Sequence, residues 1–421
     1  MKTLAPRDEN ETVDVVRAAL ANATPVDVVG SGSRCGLGRP TRAGVQLSTS
    51  GLVGVTLYEP SELVLRAKAG TPIQTITALL DEQNQELAFE PIDHAALYGG
   101  PNQAGTIGGL IGVNASGPRR IKVGGARDHL LGFRAINGRA EIFQSGGRVM
   151  KNVTGYDMCK VMAGSFGTLG VLSEITIKVM PKAEMQATVI ISDLNEQTAV
   201  RVMTFASGLP HEVSGLAHVP RLGAEFAPPS SKSGSQDVES SELADRPQTA
   251  LRVEGPEVSV RQRINDLKSD LAALIDGTRA RFDVLEGPAS VKFWKALRDV
   301  AYFAETSHQV WRISTAPSEG AKLIEALRAR GAPIAGYFYD WAGGLIWLAV
   351  EPAPNAHAIP VRETIAAYGG HATLVRADDS VRNLVEVFQP QPDALAGLSA
   401  RLRRGFDPEL ILNRGRMRGD L

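Results

Sequence analysis

Between Pro25 and Pro40 the chain reads PVDVVGSGSRCGLGRP, with Gly30, Gly32, Gly36 and Gly38 interleaved with Ser31, Ser33, Arg34 and Cys35. Glycine lets backbone N–H groups come close to an anion, so a loop of this composition suits a phosphate. The spacing of Gly32, Gly36 and Gly38 imitates the fingerprint of nicotinamide dinucleotide sites. That fingerprint needs a helix opening straight out of the loop, because the helix N-terminus supplies part of the phosphate binding. Here Pro40 and Gly44 interrupt LGRPTRAGVQLSTS, which has no 3.6-residue apolar period. The nicotinamide reading fails on that mismatch, and for this loop alone a plain connection is the simplest reading. Two further segments change the balance: GPNQAGTIGGLIGVNASGPRRIKVGGARDHLLG from Gly100 and GRVMKNVTGYDMCKVMAGSFGTLGV from Gly147. Each mixes glycine with small hydroxyl and amide side chains, as close backbone contact with a polar ligand requires. Three such loops suit one large ligand better than a small one.

Other reactive groups are sparse. The seven histidines, His94, His129, His211, His218, His308, His357 and His371, include no pair at metal-ligand spacing, so no metal site is expected. Cys35 and Cys159 are the two cysteines, too few for a disulfide framework or an iron–sulfur cluster. Forty-five basic and 46 acidic residues leave a net charge of −1, which gives no reason to expect nucleic acid or an anionic membrane as partner. No apolar run reaches the length of a membrane span. The N-terminus turns acidic within ten residues and lacks the apolar stretch of a signal peptide. A cytoplasmic protein is expected.

The elements around these residues suggest two or three domains in 421 residues. An amphipathic helix, NETVDVVRAALANATP, with Asn10 as N-cap, precedes the strand VDVVG and the first glycine loop. VQLSTSGLVGVTLYEPSELVLRAKAG contains three strand candidates, and Pro72 sits in the first turn of a helix. From Gly99 to Pro181 helix patterns almost vanish; a hairpin around Asn137-Gly138 and the alternating run TLGVLSEITIKVMP remain. After Pro181 comes strand–helix–strand–strand–helix, broken by the Ser-rich stretch from Pro228 to Gln248, read as a disordered insertion. A similar unit follows, with a hairpin about Gly343-Gly344. The two units imply antiparallel sheets with helices on one face, ferredoxin-like in style. A basic helix and an irregular tail close the chain.

The order of these segments carries a resemblance. Glycine loop, AGTIGG with NASG, RDHLLG, KNVTGYD and GTLGV, over Glu9 to Pro181, resemble the FAD-binding domain of the vanillyl-alcohol oxidase / p-cresol methylhydroxylase (PCMH-type) flavoproteins. NASGPRR, RDHLLG, KNVTGYDMCK and FDPELILNRGRM are similar more narrowly to the FAD-binding E subunits of bacterial glycolate oxidases. The resemblance implies an α+β fold. Its parts would be a PCMH-type FAD-binding domain of two subdomains over 1–181, a ferredoxin-like cap over 182–395, and a helix and tail over 396–421 that return to the flavin. It implies FAD, held at Gly30, Ser31, Gly32, Ser33, Arg34, Cys35 and Gly36 by the pyrophosphate. Gly105, Thr106, Ile107, Gly108 and Gly109 would form a second cradle, with Asn114 and Gly117 beside the isoalloxazine. Arg127 and Asp128 match the pair that the family places near the cofactor. Gly167, Thr168, Gly170 and Val171 would pass the adenine end, and Asn413 and Arg416 the flavin edge. Since a reducing flavin gathers negative charge near N1, Arg119, Arg120, Arg127, Arg414 and Arg416 are further candidates for that side.

Three departures qualify these implications. The first loop has no histidine, so FAD is expected to be non-covalent, Cys35 being the alternative anchor. The hairpin FYDWAGGLIWLAVE lacks the histidines that relatives use on D-2-hydroxy acids, and abstraction of a hydroxyl proton needs a base within reach. That leaves the catalytic base unassigned, with His129 and Arg298 of FWKALRD as weak candidates, and Tyr339, Asp340 and Trp341 as candidate pocket residues. Arg414 stands where the related tail has proline. The resulting expectation is the FAD subunit of a glycolate oxidase complex, beside a sister flavoprotein and an iron–sulfur subunit. Its substrate would be a small 2-hydroxy acid, with peripheral contact at the inner membrane made only through partners. The alternatives are a self-sufficient FAD-dependent D-2-hydroxy-acid dehydrogenase and a mainly structural flavin subunit.

Overall fold

The computed structural model describes residues 1–100, 105–148, 155–226 and 246–419. Most of the stretch read as a disordered insertion, 228–245, lies outside the described residues. The chain forms two compact units: residues 1–117, 124–182 and 386–421 make the first, and 118–123 with 183–385 the second. Residues 386–395, expected with the second domain, thus cluster with the first, and the six residues after Gly117 cluster with the second.

The first unit starts with the helix Glu9–Ala21. Its N-cap is Asp8, not Asn10: the Asp8 side chain accepts the Glu11 N–H at 2.8 Å, satisfying a donor of the first turn. Val13 and Val16 face inward onto Val26 and Leu47. Those two belong to a parallel three-stranded sheet, ordered Lys2–Leu4, Val45–Ser48, Val26–Val29. The tail adds to it: Val26 N–H donates to Ile411 O at 2.7 Å and Asn413 N–H to Val26 O at 2.8 Å. A second, antiparallel sheet runs Val55–Glu59, Val64–Lys68, Val171–Lys178, Leu130–Ile136, Ile142–Gly146. The last two form the hairpin read around Asn137-Gly138, paired from Ile136–Ile142 outward. In the glycine-rich stretch, where helices were expected almost to vanish, the unit contains three short ones among the described residues, Ile107–Val113, Ala126–His129 and Met158–Met162. Glycine costs helix propensity, but burial of Ile107, Leu110 and Ile111 outweighs it. Pro72 lies one step outside its helix, Ile73–Asp81, as N-cap.

The second unit is built on one eight-stranded antiparallel sheet, ordered Arg281–Glu286, Met185–Ser192, Gln248–Gly255, Gly215–Val219, Ile334–Asp340, Leu345–Val350, Gln309–Ser314, His371–Arg376. Each half has the strand–helix–strand–strand–helix–strand order of a ferredoxin-like unit. The halves join edge to edge, with His218 opposite Tyr339. Glu257–Ile275, Glu196–Ser207, Gly320–Ala329 and Ala358–Tyr368 form a row of helices along the sheet. Among the described residues no helix is long and apolar enough to cross a membrane.

Candidate functional site

A cavity of about 780 Å³, its open mouth included, lies within the first unit. Four segments supply most of its lining, with Thr49 and Ala69 added from elsewhere. The strand Val26–Val29 runs into the first glycine loop and contributes Val28, Val29 and residues 30–35. The helix start contributes Thr106, Gly108 and Gly109; the third segment Ser165, Phe166, Gly167 and Gly170; the tail Asn413 and Arg416. The three glycine segments and the tail, distant in sequence, therefore meet at one place.

Glycine is needed here for two distinct reasons. At Gly32 the backbone takes φ +82°, in the left-handed region, with nothing but Cys35 Sγ near a hypothetical Cβ. At Gly30 a Cβ would overlap Thr106 Oγ1, and at Gly108 it would come within 2.8 Å of both the Cβ and the carbonyl of Ala69. Ser48 Oγ donates to Gly30 O at 2.9 Å and braces the loop. The Gly32 and Ser33 amides have no partner among the described residues, so they remain as donors beside the cavity. A glycine cradle with spare amides, next to an apolar wall of Val28, Val29, Leu37, Val113 and Leu172, fits a dinucleotide carrying a pyrophosphate and an aromatic ring system.

Several expected contacts are spent on the protein itself. Ile107 N–H donates to Thr71 O at 3.0 Å and Gly108 N–H to Ala69 O at 2.8 Å, while Thr106 Oγ1 accepts Gly109 N–H at 3.2 Å. The second segment thus approaches a ligand by its surface, with those amides already used. Gly105, next to it, presses on the Arg34 guanidinium, whose Nη2 donates to Ile92 O at 2.8 Å. Gly36 packs on the Tyr98 ring outside the lining. Asn413 accepts Val28 N–H at 2.6 Å and donates to Phe166 O at 2.7 Å. The Arg416 guanidinium donates to Asp27 Oδ1 at 2.8 Å and to Cys35 O at 3.2 Å. Both tail residues clasp the loops that surround the cavity.

The other expected residues lie away from the lining. Asn114, at φ +51°, ends the helix and accepts Arg127 N–H at 3.0 Å; Gly117 N–H reaches Phe89 O and Glu90 O. Val171 and Ile107 are core, and Thr168 Oγ1 donates to Ser165 O at 2.7 Å. Asp128 accepts Gly125 N–H at 2.8 Å and Lys160 Nζ at 3.0 Å. Burial opposes its charge, yet those two donors outweigh burial and hold the carboxyl below its ordinary value. His129 is buried against the Phe89 ring at 5.3 Å, and Cys159 is buried, its thiol pushed up to about 11 by burial. In the second unit, Arg298 is held in a two-bond fork by Asp299, both at 2.8 Å. Arg119 forms the same fork with Glu254, at 3.1 and 2.8 Å. Arg414 is exposed. Sequence reasoning missed the apolar wall, because single valines and leucines on strands and short helices carry no signal that separates a ligand wall from core.

The sequence profile of the family described as FAD binding domain matches residues 2–146. The "Glycolate oxidase subunit GlcE" of Escherichia coli is 30% identical over 411 residues, covering 97% of each chain. "Glycolate oxidase subunit GlcD" of Bacillus subtilis is 28% identical over 202 residues, 48% of this chain and 41% of that protein. Among solved structures, substrate-bound p-cresol methylhydroxylase superposes with a TM-score of 0.69 at 12% identity, over 100% of this chain and 89% of that one, a likeness of fold. FAD is the cofactor that this cradle and these relatives share, and the chain belongs to the family of the glycolate oxidase subunit GlcE, FAD-linked oxidoreductases built on the fold of p-cresol methylhydroxylase.

Proposed function

We propose that this chain is the FAD-binding subunit of a glycolate oxidase (glycolate dehydrogenase) complex, oxidising glycolate to glyoxylate together with a sister flavoprotein and an iron–sulfur subunit. The observation that carries the proposal is the identity to GlcE over 97% of both chains, which runs past the cofactor domain through the second unit and the tail. When bound, FAD supplies an acceptor for the hydride that leaves a hydroxy acid's C–H bond. The chain's own residues bind and orient it. The Gly32 and Ser33 amides serve the pyrophosphate, the wall from Val28 to Leu172 keeps water from the ring system, and the Asn413 and Arg416 clasp holds the loops together. Neither weak catalytic candidate lines the cavity: His129 is buried beside Phe89 and Arg298 is held by Asp299, which supports shared chemistry with the sister subunit. Any contact with the inner membrane is made through partners.

The test is the absorbance of the purified chain at about 450 nm, with and without glycolate, alone and co-purified with its partner subunits. A yellow protein that bleaches fully only in the complex, and releases its flavin on denaturation, is expected. A colourless chain, or one that alone oxidises glycolate at the rate of the complex, would contradict the division of labour.

A further inference from the structure

The buried and half-buried arginines of the second unit are paired almost throughout. Arg119 and Arg252 share Glu254, Arg298 holds Asp299, Arg382 meets Asp379, and Arg376 donates to the carbonyls of Phe303 and His308. Arg312 differs. It sits in the middle of the strand Gln309–Ser314, opposite Trp347 on one side and Thr373 on the other. Its neighbour Trp311 packs under Arg362 of the helix Ala358–Tyr368, so by the alternation of a strand Arg312 faces away from that helix. The half-buried guanidinium makes no hydrogen bond or ion pair with any described residue. It lies 5.0 Å from the ring centroid of Trp341 and 6.0 Å from that of Trp347. A second guanidinium, Arg120, lies 4.7 Å from the centroid of the same Trp341 ring.

Two cations gathered on one indole repel each other. Burial first, and Arg120 second, bring the proton affinity of Arg312 down to about 10, against the pull of Asp340. His371 is likewise held below its ordinary value by burial, then by Arg312 and Arg120. Asp340 is the carboxylate that Arg312 feels, and one of its oxygens accepts the Trp341 N–H at 2.7 Å. The turn that presents the indole is strained: Trp341, Ala342 and Gly343 take φ +52°, +60° and +99° in succession. Side chains rarely adopt that region without a compensating reason, and strained residues cluster at ligand sites. An unpaired guanidinium fork over an aromatic floor, with a second fork on the same ring, is chemistry suited to a planar carboxylate.

We propose that Arg120 and Arg312, stacked on Trp341, form a binding site for the carboxylate of a small organic acid. The identity of that acid as glycolate or glyoxylate rests on the oxidation proposed above; the existence of the site does not. Arg298, held by Asp299, is not part of it.

Calorimetric titration of the full-length, FAD-loaded protein tests this, with glycolate, glyoxylate and oxalate as probes. Glycolamide serves as the neutral isostere, and chloride and phosphate are added at matched ionic strength. Saturable binding of the acids and none of glycolamide is expected. Arg312→Gln and Arg120→Gln each weaken it tenfold or more, with melting temperature and flavin content kept. Arg312→Lys retains the charge, loses the fork, and falls between native and Arg312→Gln. Equal binding of glycolamide, chloride or phosphate overturns the carboxylate assignment, and so does an affinity within twofold of native in Arg312→Gln. If acids bind as described but glycolate never reduces the flavin, the oxidation reading fails and this site stands. If Arg312→Gln still binds the acids as the native protein does while glycolate reduces its flavin, this site falls and the oxidation reading stands.

Discussion

Asn413 is the residue through which the tail can be tested. Its side chain is buried, at 3% exposure, and closes two gaps at once: Oδ1 accepts the Val28 N–H and Nδ2 donates to Phe166 O. Val28, Phe166 and Asn413 all line the cavity. Asn413→Ala leaves a buried donor and a buried acceptor unpaired, at about 1–3 kcal/mol each. Its φ of +42° adds further strain for alanine, which tolerates that region less well than asparagine, roughly 1 kcal/mol more. The total is about 3–7 kcal/mol, with a midpoint of about 5 kcal/mol. In a unit of about 200 residues each kcal/mol moves Tm by about 2–4 °C, so a fall of roughly 10–20 °C is expected at the midpoint. Thermal unfolding followed by flavin fluorescence and by far-ultraviolet circular dichroism reads both the unit and the cofactor, and flavin should leave earlier than in the native protein. Asn413→Asp keeps the acceptor for Val28 but turns a carboxylate oxygen toward the Phe166 carbonyl. It should destabilise at least as much at pH 7 and recover partly in acid, once protonation restores a donor. An Asn413→Ala variant that melts within about 2 °C of native, with full flavin content, would refute the reasoning.

Other expectations follow from individual contacts. Gly30→Ala forces Thr106 off its cap on the helix Ile107–Val113, so a loss of about 1–3 kcal/mol and a lower flavin-to-protein ratio are expected by chemical denaturation and absorbance. Arg416→Met leaves Asp27 buried without its cation, costing about 3–5 kcal/mol, and Asp27→Asn in the same background should restore part of it; no restoration would mean that the pair is not the source. Iodoacetamide should alkylate exposed Cys35 while leaving buried Cys159, and added FAD should slow the reaction, as mass spectrometry of the labelled peptide would report. Burial lowers His218 from its ordinary 6.5 to about 3, so the folded chain resists a proton that the unfolded chain accepts. Its contribution is whole above pH 6.5 and is lost as the pH falls toward 3, about 2 kcal/mol of it by pH 5. The stability difference between native protein and His218→Gln should shrink accordingly between pH 7 and pH 5, and an unchanged difference would sink the idea.

How legible each feature was depended on the range of the physics behind it. The absence of a helix after Gly36 is a local property, written in Pro40 and Gly44, and it excluded a nicotinamide site without any structure. The hairpin at Asn137-Gly138 and the two strand–helix–strand–strand–helix units are also local patterns, and they appear as read. The helix Ile107–Val113 escaped notice because three of its seven residues are glycine and Gly105 and Thr106 precede it, so burial of Ile107, Leu110 and Ile111 stabilises it where propensity does not. The N-cap at Asp8 was missed by two residues, since Asp8 and Asn10 both fit the local preference and the observed hydrogen bond decides between them.

By itself, then, the sequence determined which segments are rich in glycine, where helices and strands alternate, and which family carries that order, because each is set by residue types within a few positions. Only the tertiary structure decided which donors remain for a ligand. Ile107 and Gly108 offer amides on paper, yet Thr71 and Ala69, some 35 to 40 residues upstream, take them, whereas Gly32 and Ser33 keep theirs. The same holds for the arginines: six or more look alike in the sequence, and the carboxylates that fold back onto Arg119 and Arg416 remove them, while Arg312 is left on its tryptophans. A hydrogen-bond donor can be counted in one dimension, but whether it is spent depends on what the fold brings within 3 Å of it.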